Sequence, residues 1–176
     1  MIWTREQAKT LIDRALSLSK AEETFVVLNG SDRGNLRFAR NTATTAGTSS
    51  RYSLAITTSF GKKSGTVTTA EFDEASLGQA IANAEEVGRL SADNPEAKPV
   101  LGPQTYGTGK AYFDDVANVT PDWRASAAAT AIDLSKQKGV VSAGFVDTSA
   151  SVQAAGSSKG VVGYERRTAT DYNQTA

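Results

Sequence analysis

Few side chains in this sequence can do chemistry, and the missing ones narrow the field most. The 176 residues contain neither histidine nor cysteine. Within these residues that excludes a Ser-His-Asp triad, a histidine general base, a zinc site built on imidazole or thiolate, thiol catalysis and disulfides. Carboxylates remain. Asp114 and Asp115 are adjacent and, with a distant Glu, have the oxygens for glycoside chemistry or magnesium, but neighbouring acids in a loop before a helix are ordinarily solvated. Residues 102–110, GPQTYGTGK, resemble a phosphate loop only superficially: the pattern needs glycine where Gln104 stands and Ser or Thr where Ala111 stands, and the segment follows prolines instead of a buried strand. Gly107 and Gly109 lack the third glycine of a dinucleotide fingerprint.

The remaining candidates are arginines set among aromatics. Arg37 and Arg40 flank Phe38, and Arg51 precedes Tyr52. Basic and aromatic groups on one sheet suit single-stranded nucleic acid; half-buried core aromatics with arginines at the rim explain the same residues more simply. Overall charge gives nucleic acid no support, since 19 basic residues balance 19 acidic ones. The balance is uneven along the chain. Residues 31–69 hold Arg33, Arg37, Arg40, Arg51, Lys62 and Lys63 against Asp32 alone, whereas residues 70–96 hold seven acids against Arg89. Such segments are complementary neighbours or solvated faces in the simplest reading, and a partner or peptide surface in the functional one.

The elements that would position these groups follow from pattern. Residues 35–69 are rich in Thr, Val, Ile, Tyr and Phe and free of proline. Within them Tyr52, Leu54, Ile56 and Thr58 share one face, which predicts a half-buried strand. Residues 60–63, with Gly61 free to take a positive φ, predict a turn into a partner strand over 64–69. Before this meander, Thr4 and Gln7 form a capping box that starts a helix with Ala8, Leu11, Ile12, Ala15 and Leu18 on one stripe. Residues 25–28 read as a short strand ended by a turn at Asn29-Gly30 that runs through Asp32 to Gly34. After it, Asp73 caps a second helix ending near Leu90, and residues 91–118, which hold Pro95, Pro99 and Pro103, predict a long functional loop or strap. Thr120-Pro121 starts a third helix that Gly139 stops, with Trp123, Ala127, Thr130, Ala131 and Leu134 along one side. Residues 140–147, 151–155 and 160–170 read as three short strands. The expected class is α+β: antiparallel β meanders covered on one face by about three α-helices, in a single domain over residues 1–176. Helix followed by meander occurs twice, a faint sign of duplication. No apolar run approaches the ~20 residues that span a bilayer, and the expectation is a soluble, cytoplasmic protein with no membrane partner.

By residue chemistry alone the inference stops there. The order of elements, however, together with LRFARNTATTAG (36–47), YSLAITTSFGKKSGTVTT (52–69), LSADNPE (90–96) and VVGYERRTATDYNQ (161–174), resembles the amino-terminal domain of the TldD/PmbA family. These proteins were once called modulators of DNA gyrase and are regarded as metallopeptidase subunits. The resemblance spans nearly the whole chain and rests on pattern and order, with no invariant catalytic string. It implies a non-catalytic domain, nearer the PmbA (TldE) type, belonging to a longer subunit whose carboxy-terminal domain is not in this sequence. The cofactor expected in this chain is none, since the family's zinc motif, a His-Glu pair with a further ligand, lies in the carboxy-terminal domain of a catalytic subunit. The implied partners are a second TldD/PmbA-family subunit, in a homodimer or heterodimer, and unfolded peptide. Arg37, Arg40 and Arg51 are the candidate peptide or partner contacts at the rim of an exposed strand edge. The alternative is a stand-alone module that binds nucleic acid or a protein partner.

Overall fold

Alternation of apolar and polar residues generates the two longest elements, β1 (Glu23–Ala39) and β2 (Thr42–Phe60). They pair antiparallel from Glu23↔Ser59 to Ala39↔Thr42, with one shift of register between Arg37 and Phe38. Arg40 and Asn41 close the hairpin at φ of 52° and 57°, the left-handed pair that a two-residue turn demands if its twist is to match that of the strands. Asn41 is tied down from outside the hairpin: its amide donates to the carbonyl of Val140 at 2.7 Å and its oxygen accepts from Ser142 N at 2.8 Å. β3 (Lys63–Thr69) returns along β2 through the turn at Gly61, as the sequence predicts. On the far side of β1, β4 (Ala143–Ser157) and β5 (Val162–Thr175) complete one antiparallel sheet of order β3-β2-β1-β4-β5. The computed structural model describes residues 2–107 and 109–176; Met1 and Thr108, the latter in the glycine-rich segment considered above, lie outside the described residues.

Two strand boundaries differ from expectation. β1 does not turn at Asn29-Gly30 or at Asp32 to Gly34 but runs straight through both. The glycines answer to packing, not to turning. A Cβ on Gly30 would stand 2.2 Å from the Tyr52 ring, and one on Gly34 would stand 2.4 Å from the Arg124 guanidinium carbon. Likewise residues 140–147 and 151–155 belong to the single strand β4, and β5 continues past residue 170 to Thr175, each held residue by residue against its neighbour.

Three helices lie on the face that carries the even-numbered residues of β1. α1 (Arg5–Leu18) has the predicted capping box, Thr4 N donating to Gln7 Oε1 at 2.8 Å and Gln7 N to Thr4 Oγ1 at 3.2 Å. α2 (Glu74–Leu90) starts where Asp73 accepts from Ser76 N. Both cover Val26, Leu28, Leu54 and Ile56, contributing Leu11, Ile12, Leu77 and Ile81 to one core. A one-turn helix, α3 (Asp114–Ala117), precedes α4 (Pro121–Gln137), which Thr120 caps through Trp123 N. α4 covers Leu36, Phe38 and Val146 with Ala128, Ala131 and Ile132, a second core at the other end of the sheet. The architecture is α+β, antiparallel sheet with its principal helices on one face.

α4 is rotated relative to the expected stripe. It buries Arg124, Ala128, Ala131, Ile132 and Ser135, and leaves Trp123 and Leu134 48% and 56% exposed. The long connection, residues 91–118, is a strap. Asn94 N donates to the carbonyl of Lys62, Val100 N to Glu23 Oε2, and Thr168 N to the carbonyl of Ala111, so it crosses from one edge of the sheet to the other.

Candidate functional site

Because every helix packs on the even-numbered side of β1, the odd-numbered side is bare. Register places Asn29, Ser31, Arg33, Asn35 and Arg37 along its centre, Ser49, Arg51 and Ser53 beside them on β2, and Asp147, Ser149, Ser151 and Gln153 on β4. Hydroxyl and amide groups dominate, as expected of a sheet face left to water or to a polar ligand. A groove of about 940 Å³ crosses its middle, lined by Asn29, Ser31, Arg51, Ser151, Gln153 and Arg167, and reaches Ala70 and Phe72 where β3 ends. Gln153 donates to Asn29 Oδ1 across the strands at 2.9 Å.

The three arginines singled out from sequence are not one cluster. Arg37 and Arg51 share the bare face, but Arg51 stands opposite Ser31, six positions before Arg37 on β1. At ~3.3 Å per residue that separates them by about 20 Å along the strands. Arg40 sits in the hairpin turn at the end of the sheet. Between Arg37 and Arg51 lies Arg33, whose Nε donates to Asp147 at 2.7 and 2.9 Å. Arg33, Asp147, Asn29 and Gln153 have no signature in sequence, since isolated polar residues two apart acquire meaning only once the strand register is known.

The second feature is the strand edge. β3 pairs with β2 only from Leu54↔Thr69 to Phe60↔Lys63. Among the described residues, therefore, no strand pairs with residues 42–53 of β2 on the side away from β1. Residues 42–51 are all exposed and, up to Arg51, comprise Thr, Ala, Gly and Ser, without proline or charge. Strand edges left open to water are normally blunted by lysine, proline, bulges or coverage. β5, the opposite edge, follows that rule: it carries Glu165, Arg166, Arg167 and Asp171 and is bonded at Thr168 by the strap. The edge of β2 does not.

Burial, with the charge of Asp32 adding to it, pushes the phenol of Tyr52, beside the groove, above its ordinary value. Among the described residues no group of three or more His, Cys, Asp or Glu can hold a metal ion, and Asp114 and Asp115 stand exposed in α3. No described helix is long and apolar enough to cross a membrane.

No protein-family model matches the sequence. No curated protein matches it by sequence. Solved structures do match in fold. TldE from Thermococcus kodakarensis superposes with a TM-score of 0.81 at 16% identity, over 92% of this chain and 37% of that one. A protein from Thermotoga maritima named as a modulator of DNA gyrase gives 0.80 at 11% identity, over 94% and 42%. One of the same name from Bacteroides thetaiotaomicron gives 0.78 at 16%, over 95% and 39%. The chain thus has a fold present in TldE and in these gyrase-modulator proteins, and spans about two fifths of their length.

Proposed function

We propose, with this shared fold as the premise, that the chain is a non-catalytic domain of a TldD/PmbA-type zinc metallopeptidase subunit, of the PmbA (TldE) kind, which helps assemble a dimer and lines the cavity that admits unfolded peptides. The observation that carries this reading is the unpaired edge of β2 at residues 42–53, adjoining the bare polar face. A strand edge recognises main chain. Its N–H and C=O groups bond any extended peptide whatever its sequence, and alternate peptide side chains then fall on the two faces of the sheet. Folded proteins have their main chain already paired, so selectivity for unfolded chains follows from the recognition itself. On the bare face the peptide's side chains meet Arg51 and the serines around it, with Arg37 and Arg40 toward the hairpin end.

Zinc does not fit these residues: they offer neither imidazole nor thiolate, and no described acidic cluster. No hydrolytic step is assigned to this chain; any peptide-bond chemistry belongs to the carboxy-terminal domain of a partner. Assembly is assigned to the outer side of α4, where Trp123 and Leu134 lie exposed about three turns apart, with Val141 beyond the helix.

The test is fluorescence anisotropy with an unstructured peptide, end-capped, and the same peptide N-methylated at alternate residues so that one of its edges cannot donate. Binding of the first and at least ~10-fold weaker binding of the second is the expected result, that factor corresponding to the loss of a few main-chain hydrogen bonds. Equal binding would refute edge recognition. A protein that instead bound oligonucleotides with steep salt dependence would be a nucleic-acid module.

A further inference from the structure

On the helix side, the core under α1 and α2 and the core under α4 are separated by a small apolar cluster of Ile2, Ala150 and Val152 and by a polar strip, in which Gly34 is flanked by Thr48 on β2 and Thr148 on β4, and Asp32 by Ser50 and Ala150. Arg124, in the first turn of α4, lies over Gly34 and is only 3% exposed. Its Nη1 donates to Thr148 Oγ1 at 2.9 Å and to the carbonyl of Val119 at 3.3 Å. Its Nε is buried with no partner, Nη2 has no hydrogen-bond partner among the described residues, and no described carboxylate forms an ion pair with it. Beside it is a cavity of about 380 Å³, bounded also by Thr48, Ser50, Thr148 and Pro121.

A buried guanidinium without a counter-charge is costly, because the loss of hydration is not returned by a partner. Hydrogen bonds to one side of the fork leave the Nε–Nη2 side free, and that side matches the two oxygens of a carboxylate. We propose that this cavity is a carboxylate-binding site, with Arg124 as its anchor and the hydroxyl of Thr48 as a further donor. Gly34 has a defined part: lacking a Cβ, it gives the flat guanidinium room to lie against β1 beside the cavity. The amino terminus of α4, a helix of 17 residues, adds its positive end. Asp32 also lines the cavity, accepting from Ser50 Oγ at 2.7 Å; the ligand assigned is a singly charged carboxylate, which the one guanidinium neutralises. The site rests on Arg124 and its cavity, not on the peptide reading, so either can fail without the other.

Isothermal titration of the chain with sodium acetate at constant ionic strength, and NMR of the Arg124 Nε–H signal, read the site directly. Saturable one-to-one binding that moves this signal is expected. The variants Arg124→Gln and Gly34→Ala should each weaken it at least ~10-fold, the first by removing the charge and the second by pushing the guanidinium off the place that a Cβ at position 34 would overlap. Should Arg124→Gln fail to fold, Gly34→Ala and the signal in the unaltered chain decide. No saturable binding, or unchanged affinity in a folded Arg124→Gln, overturns the proposal. A tripeptide with a free carboxyl terminus, compared with its amide, identifies the source: preference for the free acid assigns a peptide terminus, acetate binding without tripeptide binding assigns a small free acid, and equal binding of acid and amide overturns the carboxylate assignment.

Discussion

Glu85 joins α2 to the end of α1 through one carboxylate. It is buried, yet its Oε1 accepts from Lys20 N at 2.6 Å and Ser19 Oγ at 3.2 Å, and its Oε2 accepts from Arg89 at 3.1 Å. Desolvation pushes its proton affinity up, and these donors outweigh it, holding the group below the usual carboxylate range. A depressed value in the folded chain means that the stabilisation is present above the unfolded value of about 4.3 and is lost as pH falls through the folded value. Urea midpoints measured from pH 7 to pH 3 should therefore drop below about pH 4.5, and Glu85→Gln should cost ~1–3 kcal/mol at pH 7 while flattening that drop. Glycine is the residue that sequence reading handles worst here. Asn29-Gly30 has the composition of a hairpin turn, but Gly30 is where the Tyr52 ring needs room; the real two-residue turn is Arg40-Asn41, which no glycine marks. Denaturation should show Gly30→Ala losing ~1–3 kcal/mol by overpacking. Arg40→Gly should instead gain up to ~1 kcal/mol by relieving a left-handed arginine.

At the scale of elements, helix starts were legible because caps are local chemistry: Thr4, Asp73 and Thr120 each accept the amide that their position predicts. Strand parity was legible too, from Tyr52, Leu54, Ile56 and Thr58. The face of α4 was not. Reading Trp123 and Leu134 inward is the natural choice on hydrophobicity, yet the helix turns alanines and Arg124 to the sheet, because Gly34 and the close-packed Phe38 accept a near approach there. Trp123→Ser should accordingly change the unfolding free energy by less than ~1 kcal/mol, as surface replacements do. Sedimentation velocity should show the same variant weakening any self-association or subunit association, and unaltered association would remove α4 from the interface.

Taken whole, the molecule is a wide antiparallel sheet with helices on one side, three apolar clusters beneath them, and two features left unsatisfied among the described residues. One is the buried guanidinium of Arg124; the other is the unpaired edge of β2 beside an uncovered polar face. Neither was visible in sequence. Residues 42–51 read as unremarkable β-structure until β3 is seen to stop at the level of Leu54, and Arg124 reads as one more surface charge on a helix. Of the arginines picked out from the sequence, Arg37 and Arg51 lie on the bare face and Arg40 in the hairpin turn, and the main chain between them is what the fold leaves open. Hydrogen exchange is the most direct measurement of that claim. Amides of residues 42–53 should exchange fast in the free chain and alternate ones should become protected when an unstructured peptide is added, with β5 unchanged. Peptide binding that left residues 42–53 exchanging as before would contradict recognition at this edge.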